Sequence, residues 1–219
     1  VQQRGVSLTP TPKSVTDEAQ TVLECLGGAW DKSIQAWNFG YDPLSAIRQV
    51  INSGCVPDQK SHQFYPTPPE VAAAVVELAG IQEGHRVLEP SAGNGALADL
   101  VGVGRITCVE LAELRATILK AKGHAVICDD FLAWAGKTWD QYDRIVMNPP
   151  FSEGRWRAHL EAAAARLAPG GRIVAVLPVS SVGKDLLPGF TLAWPRRFDG
   201  AFEGTQIPVV ILTADKPRG

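Results

Sequence analysis

From Pro68 onward the chain alternates short, wholly apolar runs with segments of helical periodicity, and this alternation constrains the fold more than any other feature. Strands are expected at 86–89, 105–109, 125–128, 144–147 and 172–177, with helices at 68–78, 96–101, 112–122 and 157–167 between them. A strand apolar along its whole length has no solvent face, so the arrangement implied is a parallel sheet with helices on both faces. Thr67-Pro68-Pro69-Glu70 reads as a helix start, with Thr67 as N-cap, prolines in the first turn and Glu at the third position. The end of the chain changes character. Residues 198–202 and 208–213, joined by a short turn around Gly204, predict a terminal hairpin antiparallel to the rest.

The first third has a different texture. A polar arm containing Pro10 and Pro12 precedes two short helical candidates, at 17–26 with Thr16 as N-cap and at 43–52 with Asp42 as N-cap. Trp30 and Trp37 lie between them. Two units follow, a helical N-terminal extension over 1–61 and a catalytic domain over 62–219, with no internal repeat. The chain lacks any run of about 18 apolar residues, so no membrane span is expected. Its start, without Met or an apolar leader, reads as a processed or excised terminus. Cys25, Cys55, Cys108 and Cys128 form no C-x-x-C pair, and the four histidines are equally dispersed, so the expectation is reduced thiols, no metal and a cytosolic setting. Residues 1–150 carry 12 Lys/Arg against 17 Asp/Glu, whereas 151–219 carry 9 against 6. The later part is therefore the side better suited to phosphate, with ordinary solvated charge as the alternative.

Leu88-Glu89-Pro90-Ser91-Ala92-Gly93-Asn94-Gly95-Ala96 takes a strand through a two-glycine turn into a helix, which lets backbone approach a nucleotide-like ligand. It lacks the three-glycine spacing of dinucleotide sites, so a cofactor without a pyrophosphate is favoured. Glu110, at the end of the next strand, is placed to accept two ribose hydroxyls. Asp129-Asp130-Phe131 ends the third strand, where a carboxylate accepts from an adenine amino group and Phe covers the ring; a helix N-cap is the alternative for either Asp.

The fourth strand runs into Asn148-Pro149-Pro150-Phe151. Two prolines remove two donors and stiffen the loop. Asn148 offers a side-chain carbonyl and Pro149 a backbone carbonyl, together able to grip both hydrogens of a planar NH2. Such a nitrogen is a poor nucleophile because its lone pair is delocalised. Two acceptors draw it toward tetrahedral geometry, which is catalysis by position and electrostatics without a charged base. Phe151 is placed to stack on a planar substrate.

Phe64-Tyr65-Pro66-Thr67-Pro68-Pro69, Glu89 through Gly95, Asp130-Phe131 and Asn148 through Phe151 resemble, in this order, the class I S-adenosylmethionine-dependent amino-methyltransferases that act on adenine N6 in DNA. The likeness covers roughly 62–214. It implies a Rossmann-like sheet of seven strands with a late antiparallel strand. It also implies S-adenosylmethionine as cofactor, with Tyr65, Pro66 and Thr67 against its methionine part, followed by Glu89, Pro90, Ser91, Ala92 and the Gly93–Gly95 turn. Glu110 would hold the ribose, Asp130 and Phe131 the adenine, and Asn148 would adjoin both cofactor and substrate. The implied partner is nucleic acid, DNA first, with the target base extruded from the duplex. An aromatic of the hairpin region, Phe202 or Trp194, would close on that base. Arg155, Trp156 and Arg157 are further candidate substrate contacts, an exposed helix start being the alternative.

Members with this motif order usually carry a separate recognition domain after the catalytic one, and this sequence shows none. Specificity is then minimal, supplied by a protein partner, or supplied by residues 1–60. RNA adenine and the glutamine carboxamide of proteins present a similar planar NH2, and an inactive cofactor-binding partner subunit is the alternative outside the enzymes.

Overall fold

The computed structural model describes residues 5–7, 13–55, 65–202 and 205–219. A seven-stranded sheet carries the molecule, in the order β6-β5-β4-β7-β8-β10-β9. Its strands are β4 (Val87–Pro90), β5 (Ile106–Glu110), β6 (Ala125–Cys128), β7 (Tyr142–Met147), β8 (Leu167–Pro178), β9 (Thr191–Phe198) and β10 (Val209–Asp215). The first five are parallel, and β10 lies antiparallel between β8 and β9. Leu88, Ile145, Met147 and Ile173 are fully buried, as strands covered on both faces require. Each such side chain stabilises the fold by about 2 kcal/mol relative to exposure.

Two apolar clusters sandwich the sheet. One packs α6 (Phe131–Ala135) and α7 (Arg155–Ala165) on it, and the other packs α3 (Pro69–Ala79) and α4 (Ala98–Val101). The chain steps outward from β4 to β5 and β6, then returns to place β7 on the other flank of β4. This reversal opens a crevice beyond the carboxyl ends of β4 and β7, where open α/β sheets bind ligands.

A smaller unit precedes this sheet. α1 (Lys13–Cys25), α2 (Leu44–Ser53) and a three-stranded sheet of β1 (Gly5–Val6), β3 (Ala36–Asn38) and β2 (Ala29–Asp31) gather around Leu26, Trp37, Phe39 and Tyr41. The cluster closes on Leu114 and Ile118 of α5 (Glu113–Ala121), so the N-terminal unit sits on the helix between β5 and β6. Both expected helices are present, but α1 begins at Lys13, so Thr16 lies within it and does not cap it. Pro43 takes the cap position of α2 without a side-chain bond, although Asp42 Oδ1 accepts from the Leu44 amide at 3.1 Å. The three-residue strands were not expected from the sequence.

The hairpin exists, but its first strand is Thr191–Phe198 and not 198–202. Pro195, Arg196 and Arg197 disguise it, and as an edge strand it tolerates a proline and charges that a central strand would not. β8 begins at Leu167, earlier than the apolar run suggested, with an irregularity between Tyr142 and Arg144 in its pairing with β7. The boundary at 61/62, the arm at 8–12, the Thr16 side chain and the turn at Gly204 lie outside the described residues. Among the described residues no helix is long and apolar enough to cross a membrane.

Candidate active site

At the end of β4 the backbone turns sharply. Ser91 adopts φ 62°, Gly93 φ 57° and Gly95 φ 89°. A non-glycine residue in this region is strained, and such strain persists where surrounding contacts over-determine it. Here Ser91 Oγ pairs with His159 Nδ1 at 3.2 Å. Glu110 ties the turn to β5, accepting from Gly93 N at 2.7 Å and from Ala112 N at 2.9 Å, with Arg115 4.0 Å from the carboxylate. Lys122 Nζ donates to the Asn94 carbonyl and to Asp99, each at 2.6 Å. Asn94 Nδ2 reaches Cys25 O at 3.1 Å, so the N-terminal unit also braces the turn.

Glu89 lies beneath it and is 3% exposed. The Ala98 amide donates to its carboxylate, but Oε2 has no partner among the described residues. Burial, with the charges of Asp99 and Glu110 adding to it, pushes this carboxyl well above the usual range. An isolated buried carboxylate oxygen at a cavity wall is costly unless a cation meets it.

At the end of β6, Asp130 takes the N-cap of α6: Oδ1 accepts from Ala133 N at 2.9 Å, while Oδ2 lies 3.5 Å from the Arg155 guanidinium. Phe131 is buried, its ring centroid 5.3 Å from that of His159. His159 is itself 3% exposed, and burial, reinforced by the Arg155 charge, lowers its pKa from 6.5 to about 4.

At the end of β7, Pro149 is buried, and Asn148, Pro150 and Phe151 are half-buried. Asn148 Nδ2 donates to Thr67 Oγ1 at 3.0 Å, and its side-chain oxygen has no protein donor among the described residues. Thr67 was expected to cap the following helix. Instead Pro68 occupies the cap position without a side-chain bond, and the Thr67 hydroxyl serves a residue 81 positions away.

These groups converge on one cavity of about 810 Å³, large enough for a nucleoside cofactor beside a planar substrate. Its wall includes Tyr65, Pro66, Thr67, Glu89, Ser91, Ala92, Gly93, Glu110, Asp130, Phe131, Asn148, Pro149, Pro150, Phe151, Arg155 and Phe202. Phe151 and Phe202 pack in the same apolar cluster. Five expected residues lie elsewhere. Pro90 is sealed within β4, and a Cβ on Gly95 would stand 2.8 Å from Leu119 Cδ2, so that glycine answers a packing need. Trp156 points into the core at 8% exposure, and Arg157 pairs with Glu161 at 3.0 Å on the helix surface. Trp194 packs against the opposite cluster. Arg115, Lys122, His159 and Ile207 also line the cavity and were not foreseen, because nothing local in the sequence marks these positions as facing a distant loop.

No family model matches this chain. A protein-L-isoaspartate O-methyltransferase from Methylorubrum populi is 32% identical over 177 residues, covering 71% of this chain and 79% of the relative. The chain belongs to the class I S-adenosylmethionine-dependent methyltransferases. Among solved structures, TrmN from Thermus thermophilus superposes on this methyltransferase with TM-score 0.54 at 24% identity, covering 68% of this chain and 48% of TrmN. A modification subunit assigned to a type I restriction enzyme of Vibrio vulnificus gives TM-score 0.57 at 18% identity, covering 80% of this chain and 48% of the subunit. The chain thus spans about half the length of each of these two structures, which share its fold.

S-adenosylmethionine is the cofactor of this methyltransferase. The cavity suits it, because the unpartnered Glu89 oxygen is an acceptor that its ammonium would satisfy, and Glu110 and Asp130 offer further carboxylates along one wall.

His159 gives this site a pH signature. An unfolded histidine titrates near 6.5 and the folded one at about 4, so between these values the unfolded chain binds more protons. Stability therefore falls as pH drops through that window, by about 3 kcal/mol at its lower end. Urea unfolding at pH 7.5 and 4.5 should show this extra loss in the wild type and not in His159→Gln. Parallel pH dependence in the two proteins would refute the assignment.

Proposed function

We propose that this methyltransferase methylates the exocyclic N6 amino group of adenine in DNA. The reading is carried by the loop after β7. It offers an open amide oxygen on Asn148, carbonyls without matching N–H donors on Pro149 and Pro150, and Phe151 beside Phe202 in one cavity. Acceptors on a rigid loop suit a substrate that brings two hydrogens on a planar nitrogen. They suit a carboxylate poorly, since an anion already has its lone pairs and would meet only oxygens. The isoaspartyl chemistry in the relative's name therefore does not transfer easily to this site. Order of motifs, from Tyr65 to Phe151, tilts the planar NH2 toward adenine.

When bound, S-adenosylmethionine supplies an electrophilic methyl group on its sulfonium sulfur. Tyr65, Pro66 and Thr67 would hold the methionine part, and Glu89 Oε2 would accept from its ammonium. Glu110, which already accepts from Gly93 N and Ala112 N, would hold the ribose with its remaining lone pairs, and Asp130, with Phe131, would hold the adenine. Asn148 and the Pro149 carbonyl would hold the two amino hydrogens of the target base and free its nitrogen lone pair, so that the nitrogen would gain the methyl group as the sulfur–methyl bond breaks and S-adenosylhomocysteine leaves. Phe151 and Phe202 cover the extruded base, and one amino proton is afterwards released to water. DNA is the expected partner. Target choice rests on a protein partner, on the N-terminal unit or on little specificity at all.

Labelled S-adenosylmethionine offered separately to DNA, RNA, protein and isoaspartyl peptides tests the reading. Label is expected in DNA and, after digestion, in N6-methyldeoxyadenosine. Label confined to any other pool would refute it.

A further inference from the structure

We propose that Thr67 is a positioning residue for catalysis, holding the Asn148 amide in the plane from which its oxygen meets the substrate amino group; this rests on the role given to Asn148 above. The hydrogen bond between Asn148 Nδ2 and Thr67 Oγ1 measures 3.0 Å and joins segments 81 residues apart. Both of its ends are stiff. Thr67 stands between Pro66 and Pro68, and a residue before proline is held near extended backbone. Asn148 likewise precedes Pro149 and Pro150. The hydroxyl is not diverted to the helix behind it, since α3 has no side-chain cap. An amide side chain swings about a broad, soft torsion, and its oxygen is a useful acceptor in only a narrow part of that range. The bond from Thr67 restricts the swing while using only the nitrogen end, which leaves the oxygen for substrate. Thr67 thus adjoins the cofactor and also fixes the catalytic group.

These two roles separate kinetically. Thr67→Val keeps the shape and removes the acceptor, while Thr67→Ser keeps the acceptor. On the acceptor pool that the wild type labels, Thr67→Val should lower kcat about tenfold, with affinity for S-adenosylhomocysteine by calorimetry falling by no more than about threefold, and Thr67→Ser should recover kcat to within about threefold. In an Asn148→Ala background Thr67→Val should have no further effect. Retained calorimetric affinity also certifies that the variants fold. Unchanged kcat with weakened cofactor binding, or losses that multiply in the double variant, would overturn the inference. Failure of the DNA reading shows separately, in which pool the wild type labels.

Discussion

Asn148→Ala is expected to lower kcat for methyl transfer by about 10²–10³-fold while affinity for S-adenosylhomocysteine stays nearly constant. The argument runs from the nucleophile. An exocyclic amino nitrogen conjugated to a ring has little lone-pair density to give until its hydrogens are drawn out of plane. Asn148 contributes one of the two acceptors that do this, and removing a preorganised electrostatic partner costs most where water is excluded. Pro149 and Pro150 keep the loop backbone in place after truncation, so the loss reflects the missing oxygen and not collapse. Asn148→Asp is a useful companion. It keeps acceptors but gives up the donor to Thr67 and adds a charge, and it should retain more activity than alanine. Label incorporation undiminished in Asn148→Ala would remove the loop from the mechanism.

How much of this was legible in the sequence depends on how local the physics is. Val87-Leu88, Ile145-Val146-Met147 and the run from Ile173 to Leu177 announced buried parallel strands, because burial on both faces leaves no polar alternation. The two chemical loops were legible for a similar reason: the positive-φ glycine turn and the double proline impose their geometry within a few residues. Residues defined by distant partners were not. Thr67 matched a capping signature on its own segment, and only the fold brings its hydroxyl to Asn148. His159 and Arg115 are ordinary helical positions until the sheet order sets them against Ser91 and Glu110. Trp156 failed as a substrate contact through helix phase, which turns it to the core while Arg155, its neighbour, reaches Asp130. β9 was misplaced because an edge strand is freed from the apolar pattern that marks its neighbours.

Glu89→Gln is expected to move stability and cofactor binding in opposite directions. Glu89 holds a carboxylate oxygen at 3% residue exposure without a protein partner, and its folded pKa is well above the ordinary value of 4.5. Above pH 4.5 the unfolded chain has released this proton while the folded chain retains it. The cofactor-free fold therefore loses stability as pH rises from the unfolded pKa toward the folded one. Glutamine, a near-isostere that never ionises, escapes this loss. At pH 8 the cofactor-free variant should melt about 4 °C higher than the wild type, and the gain should fade at pH 4.5. With cofactor the balance reverses. An ionised Glu89 paired to the methionyl ammonium is a buried ion pair, and truncating one member of such a pair typically weakens binding by about 10²-fold. Calorimetric titration with S-adenosylmethionine at pH 8 should show that loss. A structural carboxylate would behave differently, since its removal would lower the melting temperature and leave affinity alone; that pair of results would take Glu89 out of the cofactor site. The two opposed shifts together identify a group whose unfavourable burial is tolerated because the cofactor's cation relieves it.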